Sequence, residues 1–135
     1  MVPAPSGEHA DVAQQLAEIL GPLARAAGLS PAMSEFNLGG PDDFRVPDRG
    51  LQRAEDHSDW QHTAALVVEI VSPGDESWEK LPFYAAHHVD EVLIIDPQER
   101  AVHWLALTDG RYGAVDRSDL VDLSSRQLDE RIDWP

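Results

Sequence analysis

The feature that most constrains this chain is Ala65-Leu66-Val67-Val68-Glu69-Ile70-Val71, an aliphatic run interrupted by a single carboxylate. It is short, rich in β-branched residues and apolar at both odd and even positions, the pattern of a strand buried on both faces. Ser72-Pro73-Gly74-Asp75 ends it, and Glu76 to His88 reads as a helix carrying Pro82 in its first turns or at a kink. A second aliphatic strand, Glu91 to Asp96, follows directly. Strand, helix and strand within about 30 residues make a βαβ unit, which implies parallel pairing and a right-handed crossover.

The rest of the chain fits around that unit. Residues 1–8 read as an extended lead-in rich in Pro, Ser and Gly. From His9 to Ala27, Val12, Leu16, Ile19, Leu20 and Leu23 recur at helical steps, with Gly21-Pro22 as a kink or break and Gly28 as the stop. Strands are expected around Ser34–Leu38 and Phe44–Leu51, followed by a flexible acidic stretch. Ala101–Leu107 and Arg111–Val115 form a hairpin about Asp109-Gly110. The tail holds a short strand, Leu120–Leu123, and a final helical turn. There is no internal repeat, and residues 1–135 read as a single mixed α/β domain.

Charge and composition narrow the function. Ten basic residues against 25 acidic ones leave a net charge of −15, which argues against nonspecific coating of nucleic acid and against docking on anionic membranes. The absence of cysteine excludes disulfides, thiolate metal sites and a cysteine nucleophile. With no apolar run long enough to span a bilayer and no cationic leader, a soluble cytoplasmic domain is expected.

Glu69 is the first candidate for chemistry. Burying an isolated carboxylate costs several kcal/mol or so, and the compensation is a metal ion, a basic partner or an opening to solvent. Asp48 follows Pro47 near a strand start or edge, where an ordinary turn aspartate also fits. Lys80 is the only lysine, the other nine basic residues being arginine, and Tyr84 lies one turn further on the same helix face. A lone lysine is commonly a surface residue, but ammonium and guanidinium are not interchangeable in proton chemistry. Two carboxylates from adjacent strands can hold Mg²⁺ or Mn²⁺, and a neighbouring ammonium can orient water or stabilise charge. Asp56, His57, Asp59 and His62 fit no standard metal-ligand spacing and read as a solvated loop. His9 reads as a helix cap or lining residue, and His87-His88 as a helix end. Trp60, Trp78, Trp104 and Trp134 are spaced as core or interface aromatics and not as a base-stacking set.

Arg45-Val46-Pro47-Asp48, then Val67-Val68-Glu69-Ile70-Val71-Ser72-Pro73, Glu79-Lys80-x-x-x-Tyr84 and Val89-x-Glu91-Val92-x-Ile94-x-Asp96-Pro97 together resemble the Uma-type family of putative restriction endonucleases. That family is a branch of the PD-(D/E)XK nuclease superfamily. The resemblance covers nearly the whole chain, from Pro3-Ala4-Pro5-Ser6-Gly7-x-His9 onward. It implies a restriction-endonuclease-like mixed sheet flanked by helices and a metal-dependent DNA endonuclease. Asp48 and Glu69 match the acids of the superfamily motif, with the backbone carbonyl of Ile70 as a further ligand of Mg²⁺ or Mn²⁺. The usual lysine position is Val71 here, and Lys80 matches a lysine that this family carries on the following helix. Arg45, Arg49, Arg53 and Lys80 would make a local basic face for DNA, with Arg45, Arg49 and Tyr84 as substrate-binding residues. Set against that resemblance, the domain is expected to lack the usual N-terminal strand pair, and His88 stands where a glycine is common. A homodimer through sheet edges or Trp104, Tyr112 and Trp134 is expected. The other reading is a catalytically inactive nuclease fold kept as an oligomeric interaction module, which the acidic surface favours.

Overall fold

A computed structural model of the chain describes residues 7–32, 35–53 and 59–135. The elements, in chain order, are α1 (Gly7–Ala26), β1 (Ser30–Ala32), β2 (Leu38–Gly40), β3 (Asp43–Arg45), β4 (Arg49–Gln52), β5 (Leu66–Ile70), a 3₁₀ turn (Trp78–Lys80), α2 (Leu81–Ala86), β6 (Glu91–Asp96), β7 (Ala101–Thr108), β8 (Arg111–Ala114) and α3 (Ser125–Arg131). Six strands form one mixed sheet in the order β1-β4-β5-β6-β7-β8, and β2 and β3 form a separate hairpin. As the βαβ pattern requires, β5 and β6 pair in parallel, Glu69 opposite Ile94, while every other pair in the sheet is antiparallel.

Alternation along β5 divides the core in two. Leu66, Val68 and Ile70 face α1, where Val12, Leu16, Ile19 and Leu20 pack with Leu93, Trp104 and Leu128. Val67 faces the opposite side with Val92, Ile94, Leu105 and Tyr84. Each face of β5 therefore needs its own covering helix, which is why the strand is apolar at every position but one.

Several expectations shift in physically instructive ways. The first helix begins at Gly7, inside the stretch read as lead-in, while residues 1–6 lie outside the described residues. Pro22 does not break α1. Pro22 and Glu18, whose carbonyl loses its usual helical donor, are both exposed, so the lost hydrogen bond falls where solvent has access and costs least. The strand expected over Phe44–Leu51 is two strands in different sheets, because Pro47 has no N–H to donate where the chain passes from the hairpin to β4. Of the strand expected over Ser34–Leu38, Leu38 opens β2 and Ser34 is outside the described residues, as is most of the acidic stretch (54–58).

The helix expected over Glu76–His88 is regular only from Leu81, since Pro82 is tolerated in a first turn and not further in. Leu120–Leu123 forms no strand. The Ser118 hydroxyl accepts from the Leu120 and Val121 N–H groups, giving that backbone a local alternative to a ladder. His88 adopts φ +59°, so the position does take the left-handed backbone that glycine would adopt freely.

One buried carboxylate is structural. Glu91, 3% exposed, accepts hydrogen bonds from Trp104 Nε1 (2.7 Å), Ser118 Oγ (2.6 Å) and the Asp119 N–H (2.9 Å), tying the C-terminal segment to the start of β6. Glu91→Ala strands those donors, each unsatisfied group costing about 1–3 kcal/mol. The variant is therefore expected to lose about 3 kcal/mol or more in urea unfolding, with the denaturant slope unchanged.

Candidate active site

At the carboxyl end of β5 the chain gathers Glu69, Asp48, Lys80, Tyr84 and His9. Glu69 points to the α2 side of the sheet and is 1% exposed. The 3₁₀ turn ahead of α2 brings Lys80 back over the strand end, its Nζ lying 3.3 Å from both carboxylate oxygens of Glu69. From within α2, the fully buried Tyr84 donates its hydroxyl proton to Glu69 Oε1. Tyr84 was expected to touch substrate; its burial makes it instead a holder of Glu69. Burial and the adjacent carboxylate push its phenol well above the usual range, so it remains a donor.

Asp48 enters from the segment before β4. Its N–H donates to the Val68 carbonyl (3.0 Å), and its Oδ2 accepts the Ile70 N–H at 2.8 Å, replacing a ladder bond with a side chain. In an extended residue the N–H and C=O face the same neighbour, so the Ile70 carbonyl also belongs to the Asp48 side. Asp48 Oδ1 lies 3.0 Å from His9 Nε2, and His9 Nδ1 lies 3.0 Å from Ser72 Oγ.

His9 is the member of this cluster that the sequence reading undervalued. A signal was present: His9 precedes Val12, Ala13 and Leu16 by three, four and seven residues, which puts it on the apolar face of α1. A histidine on that stripe at the first turn must find polar partners where the helix meets the sheet end.

The arginines are not gathered in the same way. Arg45 lies 4.5 Å above the Phe83 ring and pairs with Asp43 at 3.0 Å, at the edge of the site. Arg49 shares the face of Leu51 toward α1 and donates to the Asp48 backbone carbonyl at 2.8 Å. Arg53 pairs with Asp90, which precedes β6 at the opposite end of the parallel strands. The expected basic face is thus dispersed: Lys80 alone of these cations contacts Glu69, and Arg45 acts on the neighbouring Tyr84. Of the expected aromatic contacts, Trp104 is buried and donates to Glu91. Tyr112 donates to the Val89 carbonyl and Trp134 to Asp129, so these aromatics are engaged within the chain.

Charge in the site is unbalanced. Burial lifts the Glu69 carboxyl from its ordinary 4.5 to about 7; Lys80 and the Tyr84 hydroxyl pull it down, and the Asp48 charge adds to the rise. One ammonium does not neutralise two carboxylates in a dry strand end. Beside the site opens a cleft of about 650 Å³ lined by His9, Ser72, Arg100 and the carboxylates of Glu8, Asp75 and Asp96. Among the described residues, no cluster of three His, Cys, Asp or Glu side chains could hold a metal ion unaided. The donor chemistry nevertheless suits Mg²⁺, which commonly takes one or two carboxylates and fills its remaining positions with water and substrate phosphate.

The fold is that of a nuclease-type α/β domain. It superimposes with a TM-score of 0.70 on a crystal structure described as a putative nuclease belonging to DUF820, from Anabaena variabilis ATCC 29413. The identity is 15%, over 96% of this chain and 84% of that one. The chain belongs to the Uma2 family, whose model, described as "Putative restriction endonuclease", matches residues 1–131. No curated protein matches the sequence. No helix among the described residues is long and apolar enough to cross a membrane.

A raised carboxyl pKa has a defined sign. The folded state holds the Glu69 proton between pH 4.5 and about 7 whereas the unfolded chain releases it, so that contribution to stability is lost as pH rises through 7. Glu69→Gln keeps the protonated shape at every pH. In metal-free buffer its thermal midpoint is expected to gain on wild type from pH 5 to about pH 7 and to hold that gain without further increase up to pH 8, as differential scanning fluorimetry would show.

Proposed function

We propose that residues 1–135 act as a single metal-dependent DNA endonuclease domain that hydrolyses phosphodiesters in the cytoplasm. The observation that carries the reading is the Lys80–Glu69 pair set beside Asp48 at the carboxyl end of a parallel strand. Asp48, Glu69 and the Ile70 carbonyl would hold Mg²⁺ or Mn²⁺, which when bound supplies polarisation of the scissile phosphate and a more acidic water.

The chain's own groups divide the remaining work. Lys80 orients the attacking water and offsets the charge that grows on the phosphate. Tyr84 fixes the Glu69 carboxylate, and His9 and the Ile70 N–H fix the two oxygens of Asp48. Arg45, now held against Asp43 and the Phe83 ring, would meet substrate phosphates. Arg49 acts on the other side, holding the Asp48 backbone.

The test is cleavage of single-stranded, duplex and branched DNA with and without Mg²⁺ or Mn²⁺, alongside metal titration by calorimetry. Asp48→Asn and Glu69→Ala are expected to abolish both cleavage and metal binding. Lys80→Met should keep metal binding and lower kcat by about 10²- to 10³-fold. A wild type that binds no metal and cuts none of these substrates overturns the reading. It would favour the inactive interaction module, to which the acidic cleft of Glu8, Asp75 and Asp96 lends support.

A homodimer belongs to the proposal. Its available surfaces are the open edges of the sheet, β1 and β8. Sedimentation at tens of micromolar is expected to give twice the 14.9 kDa chain mass.

A further inference from the structure

We propose that Trp78 and His103 form a stacking platform for an unpaired base next to the scissile phosphate, and that the substrate is therefore single-stranded or locally unpaired DNA. This rests on the nuclease reading above. Register is the starting point. Glu69 pairs with Ile94, and Ile94 pairs with His103, so the three stand in one row across β5, β6 and β7 on the same face of the sheet. Two strand spacings separate Glu69 from His103, roughly 10 Å.

The turn Trp78–Lys80 spans that row. Its last residue reaches Glu69, and its first packs on His103, with ring centroids 5.1 Å apart and planes at 71°. Sequence spacing suggested a core or interface role for Trp78, but it is 48% exposed, the most exposed of the large hydrophobic side chains described. In an edge-to-face pair at least one face of the indole is left uncovered by its partner. His103, itself exposed, props the ring beside the site without hiding it.

The electrostatics give that exposure a purpose. Asp75 and Glu76 shortly precede the turn in sequence, Glu79 lies within it, and the chain carries −15, so attraction to phosphates is not available as the main source of affinity. Base stacking is uncharged and tolerant of sequence, and each stacked base can contribute about tenfold in affinity. It requires a base out of its duplex, which sets the substrate class.

The experiment is fluorescence anisotropy with a labelled ten-residue oligothymidylate and with the same strand in a duplex. Ca²⁺ replaces Mg²⁺, and wild type, Trp78→Ala, Trp78→Phe and Asp48→Ala are compared. Wild type is expected to prefer the single strand. Trp78→Ala should lose about tenfold or more in single-strand affinity, Trp78→Phe less than threefold, and duplex binding should change in neither. Unchanged single-strand affinity in Trp78→Ala, equal losses in the two Trp78 variants, or a Trp78 effect confined to sedimentation mass overturns the platform. Asp48→Ala separates the two claims. Trp78-dependent binding without cleavage by wild type in Mg²⁺ would sink the nuclease reading alone. Cleavage with a KM that ignores Trp78 would sink the platform alone.

Discussion

A carboxylate placed in a strand buried on both faces is the constraint around which this molecule is arranged. The surroundings of Glu69 answer that cost from two directions, Lys80 from the 3₁₀ turn and Tyr84 from α2, while Asp48, from the segment before β4, adds to it. The parallel pairing of β5 with β6 is what allows the answer. A parallel pair needs a crossover, the crossover carries α2 over the Glu69 face, and its first turns fall at the carboxyl end of β5. The apolar residues of β5 suit either face, so it is Glu69 that penalises a slip of one residue, which would turn it toward α1 and away from Lys80 and Tyr84.

Comparison with Glu91 shows how differently two buried carboxylates can be used. Glu91 accepts from neutral groups, two of them on the C-terminal segment and one on β7, and its bonds close a loop of the fold. Glu69 is held by an ammonium that is itself partly open to solvent and by a single phenol, with a second carboxylate close by. The first arrangement is complete as it stands. The second has an excess of negative charge and a raised pKa, the condition in which an added cation is most favourable.

What could be read from the sequence follows from how local the signals are. The βαβ unit was legible because two aliphatic runs and their spacing are local facts, and Glu91–Asp96 was bounded to the residue. Asp48, Glu69 and Lys80 were legible as a set through the family resemblance and through the oddity of one acid in an apolar strand. The break at Pro47, the loop at Ser118 and the partnership of His9 were not. Each depends on which group reaches a given backbone atom across tens of residues, and periodicity does not carry that information. Arg49 illustrates the same limit. Its neighbourhood to Asp48 in sequence was plain, but strand alternation sends its side chain to the α1 face, where it serves the backbone.

The charge of the chain bears on all of this. A nuclease surface usually attracts its substrate from a distance, whereas the cleft here presents Glu8, Asp75 and Asp96 against Arg100 alone. Repulsion of that kind weakens every encounter with a long polyanion and is relieved by salt, within a screening length of about 10 Å at 0.1 M. Contacts that act only at close range would be affected least: on the proposed reading, a base stacked on Trp78, a phosphate met by Lys80, and a divalent ion shared by protein and substrate. On the proposed nuclease reading, an acidic approach with a few short-range anchors would select for DNA that is already unpaired, because a base out of its duplex can meet an uncharged stacking surface without long-range attraction to the backbone.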